Sequence, residues 1–191
     1  MKKTLAVLIA TASLTIFSGG ALAADYIIDT KGAHASINFK IKHAGFSWLT
    51  GRFNTFGGGF SYDKDNIAAS AVNVTIDTAS VDSNHVKRDK HLRSADFLEV
   101  DKFPNATFFS QAFKDKGNGK VDIVGDLTLH GVTKKITINA ERIAEGERKG
   151  KYLAGFVGTT ELVLKDFNIK RSLGPASTSV FMELHIEGIR Q

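Results

Sequence analysis

The sequence predicts an all-β protein of about eight antiparallel strands, interrupted once by a short helical segment around residues 83–99. Three observations predict this class. Apolar residues alternate with polar ones along most of the chain, so each run has one apolar face. Glycine-containing turn sequences separate the runs, as they do between antiparallel strands. One stretch, from Asp82 to Arg93, is polar and lacks the alternation.

The strands are predicted, in chain order, where the alternation runs: 37–41, 53–62, 72–76, 106–114, 121–129, 136–140, 152–164 and 180–186. In the second of these the parity slips across Gly57, Gly58 and Gly59, where the missing Cβ permits a bulge or a sharp bend. Short turns, such as the one from Lys116 to Gly119, indicate hairpins between neighbouring strands.

The helical segment interrupts the strands near the middle of the chain. Asp82 or Ser83 is the expected N-cap of a short helix, because both side chains can accept a hydrogen bond from the first helical turn. Ser94 is expected to cap a second turn, which ends before Pro104 because proline disfavours helical geometry in the residue before it. We expect this segment to form a plug between the two halves of the β structure.

The first 23 residues are expected to be a signal peptide. Lys2 and Lys3 form a basic start, an apolar stretch follows to Phe17, and Ala21-Leu22-Ala23 has the small-x-small form of a cleavage site. The apolar stretch is too short for a membrane span, which needs about 20 residues. Cleavage after Ala23 would leave residues 24–191 as one domain, and export without a transmembrane anchor would place it in a bacterial periplasm.

Composition excludes several classes of function. The chain has no cysteine, which removes thiol catalysis, cysteine-ligated zinc, iron–sulfur clusters and disulfides. The formal net charge is +5, and part of it lies in the predicted signal peptide. The lysines are scattered, so this charge does not indicate nucleic-acid binding.

Eight one-sided antiparallel strands can form either a sandwich or a closed barrel. The chain has 14 phenylalanines against three tyrosines and one tryptophan, which suits an apolar core or a cavity for a hydrocarbon; composition alone favours the core. An outer-membrane barrel would need girdles of tyrosine and tryptophan. Lys40, Lys42 and Lys135 also fall on the polar parity, as on a water-facing surface. We therefore expect a barrel in water.

No catalytic motif is present, and none of the nucleophile, zincin or phosphate-loop patterns occurs. A metal site could be built from His85, Asp89 and His91, although a solvated capping segment with internal charge pairs is the more probable interpretation of this spacing. Arg88 and Arg93 could bind an anionic head group, or could pair with Asp89 or Asp96 and lock the plug to the barrel. Trp48 is expected in a loop between strands, from His43 to Trp48, where it could lie at the rim of a cavity or pack within the loop.

Several stretches resemble the YceI-like family. The first are His34, Phe39 and His43 followed by Gly51-Arg52-Phe53. The most distinctive runs from Arg88 to Leu98, and further matches are Phe103-Pro104, Gly125 to Thr133 and Lys165 to Ile169. The resemblance implies a lipocalin-like antiparallel barrel with a deep hydrophobic pore, in which members of the family hold polyisoprenoids or similar amphiphiles. It implies no established enzyme activity and no cofactor, and it hints at a role in envelope stress.

We therefore expect a periplasmic carrier that binds an isoprenoid-like lipid or a quinone-like amphiphile. Periodicity places the candidate binding residues on one face, and the resemblance makes that face a lumen; they are Phe39, Ile41, Phe53, Phe60, Val74, Phe108, Leu127, Leu129, Ile138, Phe156, Leu162, Leu164, Met182 and Leu184. His43, Arg88 and Arg93 are the candidates for contact with the polar head group. The alternatives are a lipid-modifying enzyme that uses histidine and aspartate, or a metal-binding stress protein, and the chain could form a homodimer.

Overall fold

The computed structural model describes residues 23–191, so the predicted signal peptide lies outside the described residues except for Ala23. The chain forms one helix of more than one turn, α1 (Val86–Arg93), and eleven strands. The strands are β1 (Ala24–Ile28), β2 (Ser36–His43), β3 (Ser47–Phe53), β4 (Phe56–Tyr62), β5 (Ala71–Asp77), β6 (Val81–Asp82), β7 (Asn105–Gly117), β8 (Lys120–Leu129), β9 (Val132–Arg148), β10 (Lys151–Val163) and β11 (Ser179–Arg190).

Eight of these strands close into a ring. The order around the ring is β1-β4-β5-β7-β8-β9-β10-β11, and β11 pairs with β1 to complete it. Every pairing is antiparallel. The prediction of an eight-stranded antiparallel barrel with one short helix is confirmed.

The remaining strands, β2, β3 and β6, extend the wall of the barrel from β11. The length of β11 is divided between two partners: residues 188–190 pair with β1, and residues 181–185 pair with β2. The hairpin of β2 and β3 then continues past the ring, and β3 ends against the two residues of β6.

The predicted parity slip occurs at a different place. Asn54 and Thr55 separate β3 from β4, whereas β4 pairs with β5 without a break from Phe56 to Ser61. Gly58 and Gly59 of β4 instead allow the backbone of a neighbouring strand to approach closely, whereas Gly57 faces open space. Gly58 has a φ of +146°, and the carbonyl of Asn73 occupies the place where a Cβ would stand.

The plug segment (residues 83–99) contains α1 and a series of turns. The N-cap is His85, whose Nδ1 accepts a hydrogen bond from the amide of Arg88 at 3.2 Å, so the prediction of Asp82 or Ser83 is wrong. The side chains of those two residues are bound to other groups. Ser94 accepts a hydrogen bond from the amide of Asp96, as expected for the second turn. Within residues 23–191, no helix has the length and apolar character needed to cross a membrane.

Candidate functional site

The barrel encloses a cavity of about 220 Å³. Strands of the ring, the β2–β3 hairpin and the plug segment all contribute to its wall. Of the described residues that line it, Thr160 alone has a polar side chain, and the rest are aliphatic, aromatic or glycine. Twelve of the fourteen candidate binding residues lie in this wall: Phe39, Phe53, Val74, Phe108, Leu127, Leu129, Ile138, Phe156, Leu162, Leu164, Met182 and Leu184.

Two candidate residues lie elsewhere. Ile41 pairs with Leu49 in the part of the β2–β3 hairpin that extends past the paired section of β11. Phe60 is buried behind the cavity wall, where its ring stacks on Tyr26 at a centroid distance of 4.8 Å, covers Gly188 and contacts the ring of the cavity-lining Phe156 edge-on at 5.4 Å. Both side chains have the parity of the inner face, and neither reaches the cavity.

The plug segment closes one end of the barrel with apolar side chains. Leu92 of α1 lines the cavity together with Phe97 and Leu98 from the turns that follow, and Phe97 is buried. Val81 at the start of β6 and Ile169 in the loop that follows β10 also line the cavity. Alternation does not identify these five residues, because they do not belong to an alternating run.

Other cavity-lining residues were absent from the candidate set although they belong to alternating runs. Val72 and Ile76 flank Val74 in β5 and share its parity, and Ile136 bears the same relation to Ile138 in β9. All of them line the cavity, so the alternation alone could have identified them.

Both arginines of the plug segment bind atoms of the protein itself. The Arg93 Nε donates to the carbonyl of Ala79 at 2.7 Å, and its Nη2 donates to the carbonyl of Val81 at 2.6 Å. Arg88 donates to the hydroxyl of Ser83 at 2.7 Å and to its carbonyl at 2.6 Å. Neither side chain lines the cavity.

Asp89 completes this network from the buried side of α1. Its Oδ1 accepts hydrogen bonds from the amide of Ser83, at 2.8 Å, and from the Ser83 hydroxyl. Burial acts to raise the pKa of Asp89, but the hydrogen bonds from Ser83 outweigh it and hold the pKa below its ordinary value. Arg93 thus fixes the plug segment to two carbonyls outside it, while Ser83 joins Arg88 and Asp89 within the segment; the described residues do not form the predicted arginine–aspartate ion pairs.

Contact of a head group with His43, Arg88 or Arg93 stays a prediction. His43 is the last residue of β2 and is exposed. The two guanidinium groups already have acceptors in the protein, which gives them a structural use.

The histidines predicted for a metal site point to different partners. His85 caps α1, while the Nε2 of His91 lies 2.6 Å from the Asp96 carboxylate. A different group among the described residues brings three ligand atoms within 4.8 Å of one another, namely Asp29, His34 and Glu187. This group has the donor set for a cation, and its hydrogen bonds also tie the β1–β2 connection to β11.

The Asp29 carboxylate is the most strongly bound member of that group. His34 Nδ1 lies 2.8 Å from its Oδ2, and the amide of Gly32 donates to its Oδ1 at 2.8 Å. The hydrogen bond with His34, followed by that with Gly32, holds the pKa of Asp29 below its ordinary value.

His130 is the one buried histidine of the described chain, and it stands outside the cavity wall. Its Nδ1 lies 3.1 Å from the carbonyl of Phe167, and its Nε2 lies 3.5 Å from the carboxylate of Glu99. No histidine, aspartate or glutamate of the described residues lines the cavity, so the apolar site contains no acid–base pair.

The profile of the YceI-like domain matches residues 26–188. A UPF0312 protein of Vibrio vulnificus is 61% identical over 170 residues, which cover 88% of this chain and 89% of that protein. The crystal structure of Burkholderia cenocepacia BcnA matches with a TM-score of 0.75 and 22% identity, over 84% of this chain and 98% of that chain. A structure described as a polyisoprenoid binding domain from Saccharophagus degradans matches with a TM-score of 0.67 and 19% identity, over 88% and 99%.

Proposed function

This chain belongs to the YceI-like family, and from that premise we propose that it binds an isoprenoid-like lipid or a quinone-like amphiphile and carries or sequesters it in the periplasm. The hydrocarbon tail occupies the barrel cavity, and the polar end stays outside the apolar wall.

The observation that carries this proposal is the chemistry of the cavity wall. Thr160 supplies its one polar side chain among the described residues, so the wall offers a ligand apolar contact over nearly its whole surface. Burial of apolar surface contributes roughly 25 cal/mol per Å² before the costs of binding are subtracted. A long hydrocarbon makes use of such a wall, whereas a sugar or a nucleotide would leave its polar groups without partners.

The structural neighbour from Saccharophagus degradans supports the choice of an isoprenoid, because it is described as a polyisoprenoid binding domain and shares the barrel. Binding is favoured over catalysis because an enzyme acting on the lipid would need acid, base or nucleophile side chains at the cavity. In the described chain the wall offers one hydroxyl for this purpose. The metal-binding alternative is less well supported, because His85 and His91 are directed to separate partners.

A pair of matched substitutions tests the proposal. Phe156 lines the cavity, and Phe109 is 56% exposed on the outside of β7. Protein purified from cells should release a lipid into organic solvent, identified unchanged by mass spectrometry. Phe156→Asp should abolish retention because it places a charge against the hydrocarbon, and Phe109→Asp should retain the lipid.

Circular dichroism shows whether each variant is folded. Repeated preparations of folded wild-type protein without lipid would refute the proposal, and a chemically altered lipid would favour the enzyme. Native mass spectrometry of protein from the periplasmic fraction reports the cleaved N-terminus, the ligand and any homodimer in one measurement.

A further inference from the structure

The outer surface of the β2–β3 hairpin combines exposed aromatic side chains with lysines. We name the group of Lys40, Lys42, Phe46 and Trp48 the hairpin patch. Phe46 is 92% exposed and Trp48 is 46% exposed. Single exposed apolar residues are common on proteins, but two large aromatic rings at one hairpin tip, flanked by lysines, form a surface with a definite chemistry.

Lys40, Lys42 and Trp48 lie together on the face of the hairpin that points away from the cavity, and Phe46 lies in the turn at its tip. Lys42 pairs with Trp48 across the hairpin, and their side chains share a face. The Nζ atoms of Lys40 and Lys42 lie 5.3 and 5.6 Å from the centre of the indole ring. Phe181 of β11 contacts the same ring edge-on at a centroid distance of 5.5 Å. The tryptophan is therefore fixed in place although it remains accessible.

A second loop of the same character packs beside the hairpin. The hydroxyl of Ser177 donates to the carbonyl of Lys42 at 2.5 Å, which fixes the loop that follows β10 against β2. In that loop Lys170 and Arg171 are exposed, and Leu173 is 40% exposed. The basic and apolar surface thus continues from one loop to the next.

The hairpin and the nearby part of the second loop carry an excess of basic residues. The sequence has no aspartate or glutamate between residues 30 and 62, which include the whole hairpin, and none between residues 167 and 182. Acidic side chains border this surface: Glu183 lines the same groove as Lys40, and the Asp96 carboxylate lies 3.7 Å from Arg171. A surface of this kind is complementary to an anionic partner with an apolar layer beneath its charges.

We propose that the hairpin patch docks on the surface of an anionic phospholipid bilayer. Phe46 and Trp48 enter the interface between head groups and acyl chains, where aromatic rings are stable, and the lysines face the phosphates. A second copy of this chain fits less well, because a symmetric contact would set the lysines of one patch against those of the other.

Docking in this position would bring the cavity wall close to the membrane. The inner face of the same two strands carries Phe39 and Phe53, which line the cavity. The inference goes beyond the binding of a lipid in the barrel and does not depend on it, because it concerns the outer surface.

Trp48 makes the test direct, because it is the one tryptophan of the sequence. Its fluorescence should shift to shorter wavelength when the mature protein meets vesicles of phosphatidylcholine mixed with phosphatidylglycerol, and the protein should float with them. Vesicles of phosphatidylcholine alone should produce neither effect, and added salt should reverse the binding.

Matched variants locate the binding surface. Lys42→Gln should weaken partitioning about fivefold through the loss of one surface charge. Phe46→Ser should weaken it about tenfold or more through the loss of apolar burial. The control is Lys120→Gln, which removes the same charge at the β7–β8 turn, and the strand registers place that turn at the other end of the barrel.

Three results would overturn this inference: no binding to anionic vesicles at low salt, an equal loss of binding in Lys120→Gln, or a change of oligomeric mass in Phe46→Ser that marks the patch as a contact between copies. Organic extraction of the same samples keeps the two proposals apart. If the protein does not bind vesicles but releases a lipid on extraction, only the docking proposal is refuted. If it binds vesicles but releases no lipid, only the cavity proposal is refuted.

Discussion

The cavity wall and the plug segment adjoin each other and are built from opposite kinds of interaction. Among the described residues the wall is apolar apart from Thr160, so its packing energy depends on how much apolar surface is buried. The plug segment is held by hydrogen bonds from charged side chains to individual acceptor atoms. Arg93, for example, donates to two backbone carbonyls at 2.7 and 2.6 Å. Apolar contact has no preferred direction, whereas a hydrogen bond requires the donor and acceptor to be aligned.

Because of this difference, the wall and the plug segment should tolerate different substitutions. A wall residue can be exchanged for another of similar volume, because the area removed from water is nearly the same. An anchor residue of the plug cannot be exchanged for another of the same charge, because the geometry of its donors carries the interaction. Three measurements test whether the wall and the plug segment differ in this way.

The largest effect is expected from truncation of the wall. Leu162 is buried and lines the cavity. Leu162→Ala should lower the free energy of unfolding by about 2–5 kcal/mol, whereas Leu162→Met should lower it by less than about 1.5 kcal/mol because the volume is conserved. Denaturant unfolding of both variants measures the difference. Equal losses of unfolding free energy in the two variants would show that the wall depends on the exact shape of its side chains, and would contradict the expectation that it tolerates exchanges of similar volume.

An intermediate effect is expected from Arg93. Arg93→Ala removes two charge-assisted hydrogen bonds and should lower the free energy of unfolding by about 2–3 kcal/mol. Arg93→Lys should lose nearly as much, because an ammonium group cannot address both carbonyls. Thermal unfolding and organic extraction are measured together. A full rescue by lysine would contradict the directional anchor, and loss of lipid from a folded Arg93→Ala would restore the head-group hypothesis.

The smallest effect is expected from Asp89, and it depends on pH. Because the pKa of Asp89 is lowered in the folded protein, the carboxylate stabilises the fold above its unfolded pKa of about 3.9, and this stability is lost as the pH falls through the folded pKa. Asp89→Asn should lose about 1–2 kcal/mol at neutral pH. The two proteins should converge in melting temperature on acidification. A constant difference between pH 6 and pH 3 would mean that the charge of Asp89 does not contribute.

The ring of strands was predictable because each strand repeats its signal several times. Alternation in 72–76 or 180–186 identifies an apolar face of that strand without reference to the rest of the chain, and a set of such strands limits the fold to a barrel or a sandwich. The strands that were missed are β1, β3 and β6, with five, seven and two residues; β1 and β6 are short, and β3 lay in a stretch that was interpreted as a loop.

Depth along the barrel axis was not predictable in this way. Ile41 and Phe60 have the parity of the inner face, but parity does not tell how far a residue lies from the ends of the cavity. Their positions depend on register against β11 and β1, which is a property of the assembled sheet.

The anchors of the plug segment were the least predictable part of the site. Sequence reasoning pairs a charged side chain with another charged side chain, whereas Arg93 binds two backbone carbonyls that every sequence possesses. For the same reason His85 replaced Ser83 as the N-cap: the Ser83 hydroxyl is bound to Asp89, a contact that exists only after folding.

The division of β11 between two partners leaves the ring closed by a short ladder. β1 and β11 share three paired positions, whereas β10 and β11 share eleven. Closure at this joint therefore depends on side-chain packing as well as on backbone hydrogen bonds: Tyr26 and Ile28 of β1 are both buried, and the ring of Phe60 stacks on Tyr26 and covers Gly188 of β11.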